Sequence, residues 1–201
     1  MGKTTTKGTP QDAAGQTKEI YSVALETMQD ILNICADSGM EVEAFYNPGN
    51  HDTILSYTLV KALAGWFHND ERVKITDNAT SRYYIHIGKN LLGFSHGNNE
   101  KGRLFDLMQS EAREMWGLSE YSEWIVGHTH DEKVEKKSAT TKRTIGSLSG
   151  ADLWTYDNGY TSSLPIMQAP IYRNDIAGPY SILYHNARQH DPVVANKTLV
   201  K

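Results

Sequence analysis

Three times along this 201-residue chain, a short apolar run ends abruptly on a tight turn that carries histidine. Val42 to Tyr46 runs into Pro48-Gly49-Asn50-His51-Asp52, Leu91 to Phe94 into Ser95-His96-Gly97, and Trp124-Ile125-Val126 into Gly127-His128-Thr129-His130. Runs of this length and composition read as strands. Pro, Gly and Asn end them, because proline cannot donate to a ladder and glycine and asparagine accept backbone angles that other residues avoid. After the first turn, Leu55, Leu59, Leu63 and Phe67 recur at helical spacing, which predicts a helix starting just after Asp52 and ending near Asn69. Strand, turn and helix in this succession imply an α/β (α+β) chain whose reactive side chains gather at the C-terminal ends of strands.

The remaining pattern fits that class. Ile20, Val23, Ala24, Met28, Ile31, Leu32 and Cys35 predict a helix from Thr17 to Ala36 that stops at Gly39. Val73 to Thr76 and Arg82 to Ile87 read as strands, set apart by Asp77-Asn78 and followed by Gly88-Lys89-Asn90. Leu104, Phe105, Met108, Ala112, Met115 and Trp116 predict one further helix. Beyond Asp131 the chain turns β-rich, with strand-like runs at Val134, Arg143-Thr144-Ile145, Leu153 to Tyr156 and Tyr180 to Tyr184. The expected organisation is a flexible lead-in at 1–16, one domain at 17–185 around one core, and a loose tail at 186–201.

Composition narrows the function classes. A net charge of −4 gives no global basic field for nucleic acid, so any such contact has to be local. The lone Cys35 excludes an internal disulfide and falls on the apolar side of its helix, as a reduced, buried thiol does. No apolar run approaches the ~18 residues of a membrane span, and the N-terminus lacks the apolar core of a secretory signal, so no membrane partner and a cytoplasmic location are expected. Met1 to Thr6 fits an N-myristoylation pattern, and Gly2-Lys3-Thr4 mimics the end of a phosphate-binding loop. The loop lacks its preceding glycine and strand, and acylation needs a eukaryotic transferase.

In order and chemistry, Gly49-Asn50-His51-Asp52 and Gly127-His128-Thr129-His130 resemble the two later signatures of the calcineurin-like metallophosphoesterases, with Ser95-His96-Gly97 between them. The resemblance covers Val42 to Asp131. It implies a sandwich of two mixed sheets flanked by helices, and a metal-dependent phosphoester hydrolase, a phosphatase or phosphodiesterase, with two divalent ions in its complete form. Imidazole, amide and carboxylate donors suit Mn²⁺, Zn²⁺ or Fe²⁺. Carried across, Asn50, His96 and His128 bind the second ion, and His130 is one ligand of the first. His51 stands beside the phosphate to stabilise charge or protonate the leaving oxygen, and Asp52 supports the turn. The substrate implied is a phosphoester.

The family's Asp-x-His and Gly-Asp-x-x-Asp tracts, which supply the other ligands and a bridging carboxylate, do not occur before Asn50. The sequence therefore resembles the C-terminal portion of such an enzyme, with central strands missing from an incomplete sandwich. A second polypeptide bearing those strands and ligands is an expected partner. The alternative is a non-catalytic remnant that binds one metal or a partner chain. Ser147 to Trp154 and Asn158-Gly159-Tyr160 resemble the tail of bacteriophage-encoded members, whose location would be the host cytoplasm. Lys133, Lys136, Lys137, Lys142 and Arg143 beside the second signature offer contacts to a phosphate backbone, so DNA is a candidate substrate and nuclease a candidate activity. A solvated hairpin explains the same cluster. His68, His86, His185 and His190 read as structural or solvated.

Overall fold

The computed structural model describes residues 17–148 and 165–187. They fall into two compact units, 1–83 and 84–201, with the boundary inside one strand. Among the described residues an apolar cluster is buried in each unit.

The first unit opens with helix α1 (Thr17–Asp37), followed by strand β1 (Val42–Phe45), helix α2 (Thr53–Trp66) and strand β2 (Val73–Thr76). Gly39, at φ 85, ends α1 in the left-handed region: its N–H donates to Ala36 O and that of Met40 to Cys35 O, which satisfies two otherwise orphaned carbonyls. β1 and β2 pair in parallel, Val42 with Val73 through Phe45 with Thr76, and α2 makes the crossover that parallel strands require. Leu32 and Ala36 from α1, Leu63 from α2, Phe67 just after it, and Val73 from β2 form the core on one face of this pair. On the other face, Tyr83 stacks on Phe45 at 4.3 Å and its hydroxyl donates to Glu43.

The second unit is built on a five-stranded mixed sheet in the order β3-β4-β5-β7-β6, formed by β3 (Arg82–Ile87), β4 (Asn90–Ser95), β5 (Tyr121–Val126), β6 (Lys133–Lys137) and β7 (Thr140–Thr144). β4, β5 and β7 run parallel and β6 returns antiparallel to β7. Trp124 and Leu91 are fully buried against Met108, and Gly93 makes that packing possible: a Cβ there would lie 2.5 Å from Met108 Cε and 2.7 Å from Trp124 Cε3. The single helix expected over Leu104 to Trp116 is two, α3 (Leu104–Glu111) and α4 (Arg113–Leu118). They break at Ala112, whose backbone leaves the helical region at φ −119, ψ 42. No Gly or Pro marks the break; Ala112 is drawn into the core instead.

β8 (Ile166–Tyr172) and β9 (Pro179–Asn186) form a separate antiparallel hairpin. β9 runs through His185 to Asn186. β8 has no counterpart in the sequence reading, because Pro170 interrupts its pattern; a proline is accommodated where a strand has an open edge. The hairpin is anchored by Asn90, whose two Nδ2 hydrogens are shared among the carbonyls of Ile87, Arg173 and Ile176, while its Oδ1 accepts from the Gly178 N–H at 2.7 Å. A second anchor is buried beneath it. Glu123 pairs with Arg143 at 2.8 Å and accepts from the hydroxyls of Tyr121 at 3.0 Å and Tyr172 at 2.5 Å.

The α/β class, the helices flanking a mixed sheet and the β-rich C-terminal part are all present. Among the described residues no helix is long and apolar enough to cross a membrane. Met1 to Thr6, the strand expected at Leu153 to Tyr156 and His190 lie outside the described residues.

Candidate functional site

In the second unit, parallel pairing decides what is brought together. β4 and β5 are in register from Asn90 with Tyr121 to Ser95 with Val126, so both strands end at the same level. The residues that follow, His96 and Gly127, are therefore neighbours. Gly127 has no side chain to fill the space, and a Cβ there would lie 3.8 Å from His96 Nδ1. His128, one step further, turns its ring edge-on to that of His96, with centroids 5.1 Å apart and planes at 68°.

The backbone around the pair is unusual. His128 and His130 adopt φ 74 and φ 59, left-handed values that cost a non-glycine residue on the order of 1–2 kcal/mol. Strain of this kind concentrates at functional turns. Thr129 N–H donates to Gly127 O at 3.0 Å and Ile145 N–H to Val126 O at 2.8 Å, which ties the turn to its strand and to the end of β7. His96 is half-buried, whereas His128 and His130 are exposed. On the other side of His96, Ser95 and Glu100 are buried, and Ser95 Oγ donates to Glu100 Oε1 at 2.8 Å. The Gly97 N–H in turn donates to Ser95 Oγ at 3.2 Å. The sequence reading passed over Glu100, because an acidic residue in a polar turn looks like any solvated one.

The first unit holds Asn50, His51 and Asp52 in the turn between β1 and α2. Tyr46 extends the pairing of β1 by donating its N–H to Thr76 O, and its hydroxyl reaches forward to Thr53 O at 2.8 Å. Thr53 Oγ1 donates back to Gly49 O at 3.0 Å, so the tract is closed into a loop at both ends. Asp52 is the residue before α2, and its carbonyl accepts from both N–H and Oγ of Ser56. Its side chain makes no capping bond and instead borders an apolar hollow of about 340 Å³ with Tyr21, Met28 and Leu59. His51 is exposed and Asn50 half-buried.

Two imidazoles at the separation of His96 and His128 suit two corners of a borderline divalent ion, whose metal–nitrogen bonds are about 2.1 Å. Among the described residues no group of three or more His, Cys, Asp or Glu side chains is arranged to hold a metal. The histidine pair would be two donors of a ligand set that needs others.

The basic cluster divides. Cross-strand pairing of Lys133 with Thr144, Glu135 with Lys142 and Lys137 with Thr140 puts Lys133, Lys137 and Lys142 on one face of the β6–β7 hairpin, and Lys136 and Arg143 on the other. Glu135 sits within the first group, pairing with Lys142 at 2.6 Å and Lys133 at 3.0 Å, and their hydrogen bonds, with their charges, hold its carboxyl below the usual range. Lys137 and Lys142 also lie over the Phe105 ring, at 5.7 and 5.9 Å. Arg143 points inward, 8% exposed against the fully buried Glu123, away from any surface a phosphate backbone would follow. Most of the phage-like tail tract, from Ser149 onward, lies outside the described residues.

Among solved structures the chain is similar to Vps29. A double mutant of Vps29 from Entamoeba histolytica matches at 16% identity and a TM-score of 0.40, over 88% of this chain and 92% of that chain. A single mutant of the same protein matches at 16% and 0.43, over 88% and 93%. Vacuolar Protein Sorting 29 from Cryptosporidium parvum matches at 15% and 0.34, over 63% and 76%. At TM-scores this low the likeness decides nothing about family or activity. No protein-family model matches the chain, and no curated protein does.

Proposed function

We propose that this chain carries part of the metal-binding and phosphate-handling apparatus of a phosphoester hydrolase. The observation that supports the reading is the pair formed by His96 and His128, presented by two parallel strands that end in register. The two signatures that resemble the metallophosphoesterases supply the rest: Asn50 as an amide donor, His130 as a ligand of a first ion, and His51 at the phosphate. Two bound divalent ions would acidify a water and neutralise the phosphoryl oxygens.

The chain's own groups have distinct tasks. His96 and His128 hold a cation as neutral imidazoles, the form of the ring that binds metal. His51, exposed just ahead of the N-terminus of α2, would protonate a leaving oxygen, and the positive end of the helix favours an anion there. Asp52 shapes the turn. Mn²⁺ is the first metal to try, with Zn²⁺ and Fe²⁺ as alternatives.

The test is hydrolysis of bis-p-nitrophenyl phosphate with Mn²⁺, by the chain alone and mixed with a polypeptide bearing the Asp-x-His and Gly-Asp-x-x-Asp tracts. Turnover is expected in the mixture and is lost in His51→Ala and His128→Ala. Turnover that survives both substitutions rejects the reading. Metal binding without turnover under any complementation favours the non-catalytic alternative. Nuclease action has less behind it, because the basic residues split between two faces and Arg143 is buried.

A further inference from the structure

We propose that Glu100 is the positioning residue of the His96 turn, holding that imidazole against His128 through Ser95. The inference rests on the histidine pair being a metal site, and it names the group that sets the pair's geometry.

Glu100 is 5% exposed and Ser95 1%. Burying a carboxyl and a hydroxyl is costly unless they bond, and here they bond to each other at 2.8 Å. The serine oxygen is also the acceptor for the Gly97 N–H, so one short relay spans both sides of His96. Gly97 needs that hold. Its φ of 91 is a glycine conformation, and a Cβ there would press to 3.1 Å on Val126 Cβ, so the turn lies flat on the end of β5. Ser95 is registered to Val126 and Gly97 packs on the same residue, and between them His96 lies over Gly127 with its ring against that of His128. Glu100 is five residues downstream, at the start of the turn leading into α3, and anchors the far end of the relay in the body of the unit.

The experiment compares Glu100→Ala, Glu100→Gln and Ser95→Ala without metal and with Co²⁺. In the metal-free chain, the nuclear Overhauser contact between the His96 and His128 rings and the slow exchange of the Gly97 amide should persist in Glu100→Gln, whose amide oxygen still accepts from Ser95. Both should be lost in Glu100→Ala and Ser95→Ala, with Gly97 exchange at least about tenfold faster, while the amides of Leu91 and Trp124 stay protected. Co²⁺ affinity should fall about tenfold in the two alanine variants and recover in the glutamine variant, the usual size of effect for a group that orients a ligand. An inter-ring contact intact in both alanine variants overturns the proposal, as does loss of Leu91 and Trp124 protection in both, which would make the role one of general stability. If no variant or parent binds Co²⁺ but the ring contact follows the pattern above, the metal reading fails and the positioning role stands.

Discussion

His96 lies over Gly127, its Nδ1 3.8 Å from the point a Cβ would occupy. That is ordinary van der Waals contact, so one methyl fits and a longer side chain does not. Gly127→Ala should retain the His96–His128 ring contact and Mn²⁺ binding. Gly127→Leu should push the ring aside and weaken binding about tenfold, the usual scale for disturbing a ligand's orientation. Calorimetric titration with Mn²⁺ measures both, and equal affinity in the leucine variant would show that His96 is not held where the metal needs it.

Glu123 and Arg143 form a buried pair whose Nε and Oε1 are 2.8 Å apart. Removing one member leaves an uncompensated charge in the interior, so Glu123→Ala or Arg143→Ala should each cost about 3–5 kcal/mol in urea unfolding. Glu123→Leu combined with Arg143→Met should cost much less. An additive double variant would contradict the pairing.

Tyr121 and Tyr172 share the Oε2 oxygen of Glu123. Burial, with the Glu123 charge adding to it and Thr141 opposing, pushes the Tyr121 hydroxyl up to about 12. Burial and the hydrogen bond to Glu123 push that of Tyr172 up as well. An unfolded tyrosine loses its proton near pH 10, so above that value the folded chain binds more protons than the unfolded one. The contribution of these groups is complete below about pH 10 and is lost as pH rises toward about 12. Unfolding midpoints measured across that window should fall less steeply in Tyr121→Phe than in the parent. Parallel slopes would refute the linkage.

Gly93 faces Met108 and Trp124 at distances no Cβ can occupy. Gly93→Ala should destabilise the second unit by about 1–3 kcal/mol through overpacking, read from thermal unfolding. A neutral result would mean that this layer of the core is looser than the packing indicates.

Some elements were legible because their signals are local. The start of α2 just after Asp52 follows from the Asn-Pro-Gly break and the leucine spacing, and the end of α1 follows from Gly39. β8 was hidden by Pro170, and the break at Ala112 has no residue to announce it, since burial of that methyl decides it. The candidate site divides in the same way. The histidine turns could be read, whereas Ser95 and Glu100 could not, because a buried relay looks in sequence like a polar loop.

The amino-acid order by itself determined where strands stop, which turns carry imidazole and amide groups, and where α2 begins; these follow from backbone stereochemistry and apolar period within a few residues. Tertiary structure alone decided that β4 and β5 lie side by side in register, that His96 meets His128, and that Arg143 turns inward to Glu123. Strand partners and register are chosen by the shared burial of groups far apart in sequence, such as Leu91 with Trp124, and no local pattern encodes that choice.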